Sequence, residues 1–86
     1  MDSKEVLKEY MKAFAENLKE LRKEKYKTAN ALSNNTSFDT SNYSKYENGK
    51  GNPTLETILK MSSAFGIPPN ELLNFEFDIE KYKIDQ

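Results

Sequence analysis

The sequence has no cysteine and no histidine, and only three glycines and three prolines among its 86 residues. The lack of cysteine excludes disulfides and thiolate metal sites, and the lack of histidine excludes imidazole ligands and nucleophile-histidine pairs. No apolar run approaches the length of a membrane span, and the N-terminus lacks the apolar core of a secretory signal. We therefore expect a cytoplasmic protein that uses no metal, cofactor or membrane.

A strong charge of one sign is also missing, because 13 basic residues face 14 acidic ones and the formal net charge is -1. This balance excludes nucleic-acid binding by bulk attraction alone. The charges are unevenly placed, however. Residues 4–27 contain eight basic and five acidic side chains, and residues 71–86 contain two basic and five acidic ones. The basic end is weak support for a nucleic-acid partner.

Nothing in the sequence predicts an enzyme. The available acids and bases are solvated Glu, Asp and Lys, and no pair of them is forced together by its spacing. A single helical domain of this size leaves little room for a substrate pocket. We predict no catalytic residues and no small-molecule substrate.

Residues 28–50 contain two helix starts separated by a short break, and the rest of the chain is arranged around them. Thr28 is suited to cap a short helix that runs through Leu32, and the polar residues 34–37 favour a turn. Asp39 is suited to cap a second helix that ends near Glu47, before Gly49. Two short helices joined in this way predict a helix-turn-helix.

The first turn of the second helix carries small polar side chains, Thr40, Ser41 and Asn42, with Lys45 one turn further on the same face. A recognition helix meets base edges with such residues in the major groove. The same residues are also ordinary helix-start residues that point to water. Phe38 is expected to pack on Tyr43 as a hydrophobic staple, while Tyr43 and Tyr46 face the core.

The first helix is predicted to begin at a capping box formed by Asp2 and Glu5 and to run to about Lys25. Its buried stripe consists of Leu7, Met11, Phe14, Leu18 and Leu21. Residues 1–12 extend beyond what a small bundle needs. The first two turns are therefore expected either to contact a partner subunit or to fray.

After the motif, Thr54 is suited to cap a helix that ends at Gly66, and Pro69 to start a last short helix with Leu72 and Leu73. The predicted buried stripe of the longer helix is Leu55, Ile58, Leu59, Ser62 and Phe65.

Residues 74–79 alternate apolar and acidic side chains with period two, as a strand does. A lone strand cannot satisfy its own backbone groups, so this segment is expected either to stay disordered or to pair with its copy in a second subunit.

The chain resembles the Cro/repressor-type helix-turn-helix regulators, the XRE family, over about residues 14–75. The resemblance is carried by LKELRKEK at residues 18–25, by SNYSKYENGKGNPTLETILKMSSAFGIPPNELL at residues 41–73, and by the ungapped spacing between Arg22 and Glu47. It implies an all-α fold of five helices and leaves residues 1–12 and 76–86 without a counterpart. We assign residues 1–75 to the helix-turn-helix domain, with residues 1–12 as a helix extension, and residues 76–86 to an acidic tail. The resemblance also implies a homodimer that binds double-stranded DNA at a palindromic operator and regulates transcription, as a repressor or autoregulator.

The resemblance assigns roles to particular positions. Arg22 and Glu47 match a partly buried ion pair at the end of the recognition helix. Thr40, Ser41 and Lys45 match base-facing positions, and Thr28, Asn48 and Lys50 match phosphate-facing ones. The complete set of DNA-binding candidates is Thr28, Ala29, Asn30, Asp39, Thr40, Ser41, Asn42, Ser44, Lys45, Asn48, Lys50 and Asn52.

Three positions depart from the family pattern. Ala29 replaces a glutamine that braces the DNA, Ser37 replaces a glycine in the turn, and Ser33 replaces a small alanine between the motif helices. Serine is small enough for both places, and the missing glutamine affects affinity rather than fold. The alternative function is a protein-interaction module on the same fold.

Overall fold

Four α-helices and a final 3-10 helix make up the protein, as a computed structural model of residues 1–85 shows. The helices are α1 (Ser3–Lys23), α2 (Ala29–Asn35), α3 (Thr40–Glu47), α4 (Leu55–Phe65) and the 3-10 helix (Pro69–Leu73). The predicted all-α class is confirmed. The expected fifth helix is a 3-10 helix rather than an α-helix, and residues 1–85 contain no strand. No helix in this range is long and apolar enough to cross a membrane.

The start of each α-helix is fixed by a side chain that accepts a backbone N–H of the first turn. The capping residues are Asp2, Thr28, Asp39 and Thr54. Gly66 ends α4 in the left-handed conformation, with φ of 68°, which glycine adopts without a Cβ clash. The helix starts predicted from these local signals are therefore the observed ones.

Two helix ends differ from the prediction. α1 stops at Lys23 rather than near Lys25, and α2 continues beyond Leu32 to Asn35. α2 is longer because side chains satisfy the carbonyl groups of its last turn. The Asn35 amide donates to the Ala31 carbonyl at 2.7 Å, and the Thr36 hydroxyl donates to the Leu32 carbonyl at 2.8 Å. The break between the motif helices is correspondingly short, residues 36–39.

One core joins all five helices. Its buried members are Phe14, Leu18, Leu32, Tyr43, Ile58, Met61, Phe65 and Leu72. A polar contact reinforces it, because the Asn17 side-chain amide donates to the carbonyls of Glu71 and Leu72, both at 3.0 Å. The long first helix is thereby fastened to the last helical turn of the fold.

The buried stripe of α4 is not the one predicted. Leu55 is 83% exposed and Leu59 is 59% exposed, while Met61 is completely buried. The observed stripe is Ile58, Met61, Ser62 and Phe65, which has the spacing of one helix face. Leu55 and Leu59 lie to one side of it. The predicted stripe was wrong at these two positions because α4 is apolar over a wider arc than the core covers.

The C-terminal segment packs on the first half of α1. The Tyr10 ring lies 5.1 Å from the Phe75 ring and 4.8 Å from the Phe77 ring, and Phe77 stacks on Tyr82 at 4.9 Å. Val6 is buried. The start of α1 packs against the chain's own tail, and its contact with a partner subunit stays a prediction. The predicted strand over residues 74–79 does not form because its aromatic side chains pack within the same chain; Gln86 lies outside the described residues.

Candidate nucleic-acid interface

The turn between α2 and α3 is held by its own side chains. The Thr36 hydroxyl accepts the Phe38 N–H at 3.2 Å while it donates to the last turn of α2. The Phe38 ring packs edge-on against Tyr43 of α3, with 5.7 Å between the ring centroids. The predicted staple is formed. These contacts fix the angle at which α3 leaves the turn.

The inward face of α3 is anchored by two tyrosines. Tyr43 is completely buried in the core, and Tyr46 is half-buried and covers Gly51. A Cβ on Gly51 would lie 2.4 Å from Cδ1 of the Tyr46 ring. Only glycine therefore allows the loop to pass this close to α3.

The C-terminal end of α3 is clamped to α1 by a buried ion pair. Nε of Arg22 lies 2.8 Å from Oε2 of Glu47, and Nη2 lies 2.8 Å from Oε1. The third guanidinium nitrogen, Nη1, donates to the carbonyls of Tyr26 at 3.1 Å and Lys27 at 2.7 Å. One guanidinium thus connects α1, the α1–α2 connection and α3, with the bidentate geometry that arginine provides.

The electrostatics of this pair follow from burial and hydrogen bonding. The hydrogen bond to Glu47 raises the pKa of Arg22. Burial alone would favour the neutral form of Glu47, but the hydrogen bonds and the charge of Arg22 lower the pKa of this carboxyl. Burial and the adjacent Glu47 raise the pKa of the Tyr43 phenol. All three groups therefore keep their usual ionisation at neutral pH.

The outward face of α3 is polar and open to solvent. Ser41, Asn42 and Lys45 are exposed, and Thr40 and Ser44 are half-buried. The Lys45 ammonium lies 5.1 Å from the centroid of the Tyr46 ring, within cation–π range. Because α3 is held on its opposite face and at its end, these side chains project from a fixed support.

The other candidates lie around α3. Asn48, Lys50 and Asn52 are exposed beyond its end, and Thr28 and Asn30 are exposed at the start of α2. Ala29 packs partly against the core and offers no polar side-chain atom. Thr28 and Asp39 use one oxygen each as helix caps, at 3.0 and 3.1 Å from the N–H groups they accept. The Thr28 hydroxyl hydrogen is still available to donate.

Two polar grooves flank the turn between α2 and α3, and Lys60 lines both of them. The sequence analysis did not identify Lys60 as a candidate. A groove of 370 Å³ lies between Lys25 and Lys60, and one of 330 Å³ lies between Lys60 and Lys45. Lys60 also pairs with Glu56 at 3.7 Å. No local signal in the sequence marks Lys60, because its position beside the turn depends on how α4 packs. In the described part of the chain no three acidic residues cluster to hold a metal ion.

A family model described as a helix-turn-helix domain matches residues 15–76. The matched region contains the anchoring contacts of α3, the turn and all of α4. This protein belongs to that helix-turn-helix family, and its fold and family together indicate DNA binding. Comparisons with curated proteins and with solved structures found no match.

Proposed function

We propose that the protein is a sequence-specific regulator of transcription of the Cro/repressor type, the XRE family, and that it binds double-stranded DNA as a homodimer. The observation that carries this proposal is the exposed face of Ser41, Asn42 and Lys45 on a helix that is rigidly anchored behind them. Positioned polar side chains on a protruding helix are what base readout in the major groove requires.

The proposed roles follow from position. Thr40, Ser41, Asn42, Ser44 and Lys45 face base edges, where hydroxyls, the amide and the ammonium donate or accept hydrogen bonds. The residues near helix ends and in the loop contact phosphates and set the register: Thr28, Asn30, Asn48, Lys50 and Asn52. Asp39 contributes through the start of α3, which it caps. Ala29 contributes backbone and apolar contact only.

A dimer supplies the second half of the reading surface. α3 has eight residues, and at 1.5 Å per residue it is about 12 Å long, so one copy reaches only a few base pairs. Two copies related by a two-fold axis present α3 to successive major grooves of a palindrome, roughly 34 Å apart. The proposed role is that of a repressor that occupies such a site near a promoter, with its own promoter as the first candidate target.

Salt dependence tests the DNA-binding proposal directly. If each subunit neutralises three or four phosphates, the slope of log affinity against log salt concentration is expected to be about -6 for the dimer. Fluorescence anisotropy with labelled duplexes from the protein's own promoter region, measured at several KCl concentrations, gives this slope. A slope near zero on every duplex contradicts DNA binding and favours a protein-interaction module on the same fold.

Substitution of Lys45 tests whether the exposed face of α3 contacts base edges. Lys45→Ala is expected to weaken specific binding by about 1–3 kcal/mol and to reduce discrimination at one base position, because the lysine is proposed to contact a base edge. Competition between the operator and single-base variants measures the discrimination. Lys23→Ala is the matched control, since Lys23 is exposed on α1 and paired with Glu20. Equal effects of the two substitutions would contradict the role of Lys45.

A further inference from the structure

The side of the molecule formed by α1, α4 and the tail exposes large apolar side chains. The most exposed are Leu55 at 83%, Leu59 at 59% and Ile79 at 56%, and Leu73 and Leu7 are also exposed. Scattered exposed leucines need no explanation, but contiguous ones do.

Two apolar grooves connect four of these side chains, Leu7, Leu55, Leu73 and Ile79, and Leu59 lies one helical turn from Leu55 outside both grooves. The first has a volume of 260 Å³ and is lined mainly by Leu7, Met11, Phe14, Pro53, Leu55 and Leu73. The second, also 260 Å³, is lined by Val6, Leu7, Tyr10, Phe77, Ile79 and Ile84 together with Ser3. Leu7 and Tyr10 belong to both grooves. Among the described residues, neither groove is lined by a charged side chain.

We propose that this apolar surface is where a second copy of the chain docks, so that two copies meet through α4, the start of α1 and the tail. The inference rests on the proposed function in one respect: a dimer is what completes the DNA-reading surface. This docking surface takes the place of the intersubunit strand expected from the sequence, because Phe75 and Phe77 already pack against Tyr10 of their own chain.

The shape of the surface favours a copy of itself over a different partner. Leu55 and Leu59 protrude one helical turn apart beside a groove whose size suits aliphatic side chains. In a two-fold interface each copy offers the same patch, so a patch with both protrusions and a groove is self-complementary. A charged peptide would find no partner for its charges within the grooves.

The position of the surface agrees with a dimer. Asn52, a proposed phosphate contact, borders the first groove. Docking there therefore brings the DNA-facing loops of the two copies close to the two-fold axis.

Two substitutions on α4 test the interface without disturbing the core. Leu55→Glu and Leu59→Glu replace exposed side chains, and Leu55 lies in the first turn of α4, where the helix dipole favours a carboxylate. The double variant is expected to fold normally by circular dichroism. Its dimer dissociation constant, measured by sedimentation equilibrium, is expected to rise at least about 100-fold because apolar contact is lost and carboxylates face each other across the axis.

Thr57→Glu is the matched control, because Thr57 is on the opposite side of α4 from Leu55 and Leu59, where it lines the polar groove beside α3 and neither apolar groove. It is expected to leave the dimer intact. A wild-type protein that sediments as a monomer at about 100 μM protein would overturn the inference. So would a double variant that dimerises as the wild type does.

Measurements of DNA binding, made beside the sedimentation experiments, distinguish a failure of this inference from a failure of the proposed function. If the wild type binds DNA with a steep salt dependence but stays a monomer, the docking surface is wrong and the proposed function stands. If the protein forms a dimer sensitive to Leu55→Glu and Leu59→Glu but binds no duplex, the docking surface stands and the proposed function fails. If both hold, the double variant is expected to bind a half-site like the wild type and to lose its preference for the full palindrome.

Discussion

Arg22→Ala is expected to destabilise the protein by about 3–5 kcal/mol, because it leaves Glu47 buried without its counter-charge. It also removes the donor to the Tyr26 and Lys27 carbonyls. For a domain of this size the melting temperature should fall by roughly 15–30 °C, which thermal denaturation followed by circular dichroism measures. DNA affinity is expected to fall with it, since α3 loses the clamp at its end.

The control for this prediction is Lys23→Ala, which removes a neighbouring but exposed charge and should cost at most about 0.5 kcal/mol. Acidity provides a second readout. The pKa of Glu47 lies below its ordinary value of 4.5, so the stabilisation by the ion pair is complete above that pH and is lost as the pH falls through the lower, folded-state value. The difference between wild type and Arg22→Ala should therefore shrink in acid. Wild-type melting of the variant would show that the pair contributes nothing.

Tyr43→Ala is expected to cost about 3–5 kcal/mol, because the ring is completely buried and is the main apolar anchor of α3. The ring also supports Phe38 of the turn. Urea denaturation gives the loss of stability, and the loss of operator affinity should exceed that of a surface variant such as Lys23→Ala.

Tyr43→Phe separates the ring from its hydroxyl. Among the described residues, the Tyr43 hydroxyl has no hydrogen-bond partner of standard geometry, although it lies near the Arg22–Glu47 pair. Removing it is expected to change stability by less than about 1 kcal/mol. A loss as large as that of Tyr43→Ala would mean that the hydroxyl, not the packing of the ring, holds α3.

Local chemistry determined what could be predicted from the sequence. The starts of α2, α3 and α4 depend on the single capping residues Thr28, Asp39 and Thr54, and a residue's capping capacity is visible without knowledge of the fold. The staple between Phe38 and Tyr43 spans only five positions. Because these features are local, the helices of the motif could be predicted from the sequence.

Features that depend on distant partners could not be predicted in the same way. The pattern of α4 is apolar over a wide arc, and only the packing of the other helices decides that Met61 is inside while Leu55 and Leu59 are outside. Asn17 interrupts the apolar stripe of α1, but its partners are 54 and 55 residues away. Residues 74–79 alternate as a strand does, yet Phe75 and Phe77 pack against Tyr10 of the same chain.

The four hydrogen bonds of Arg22 also limit how the motif can be engineered. Its guanidinium reaches forward to a carboxylate 25 positions later and to two carbonyls in the intervening connection. Transplanting the reading helix into another scaffold would therefore require that scaffold to reproduce all three acceptors. Altered specificity is more readily obtained by changing the outward side chains of α3 in place, because the parts that orient the helix lie on its opposite side.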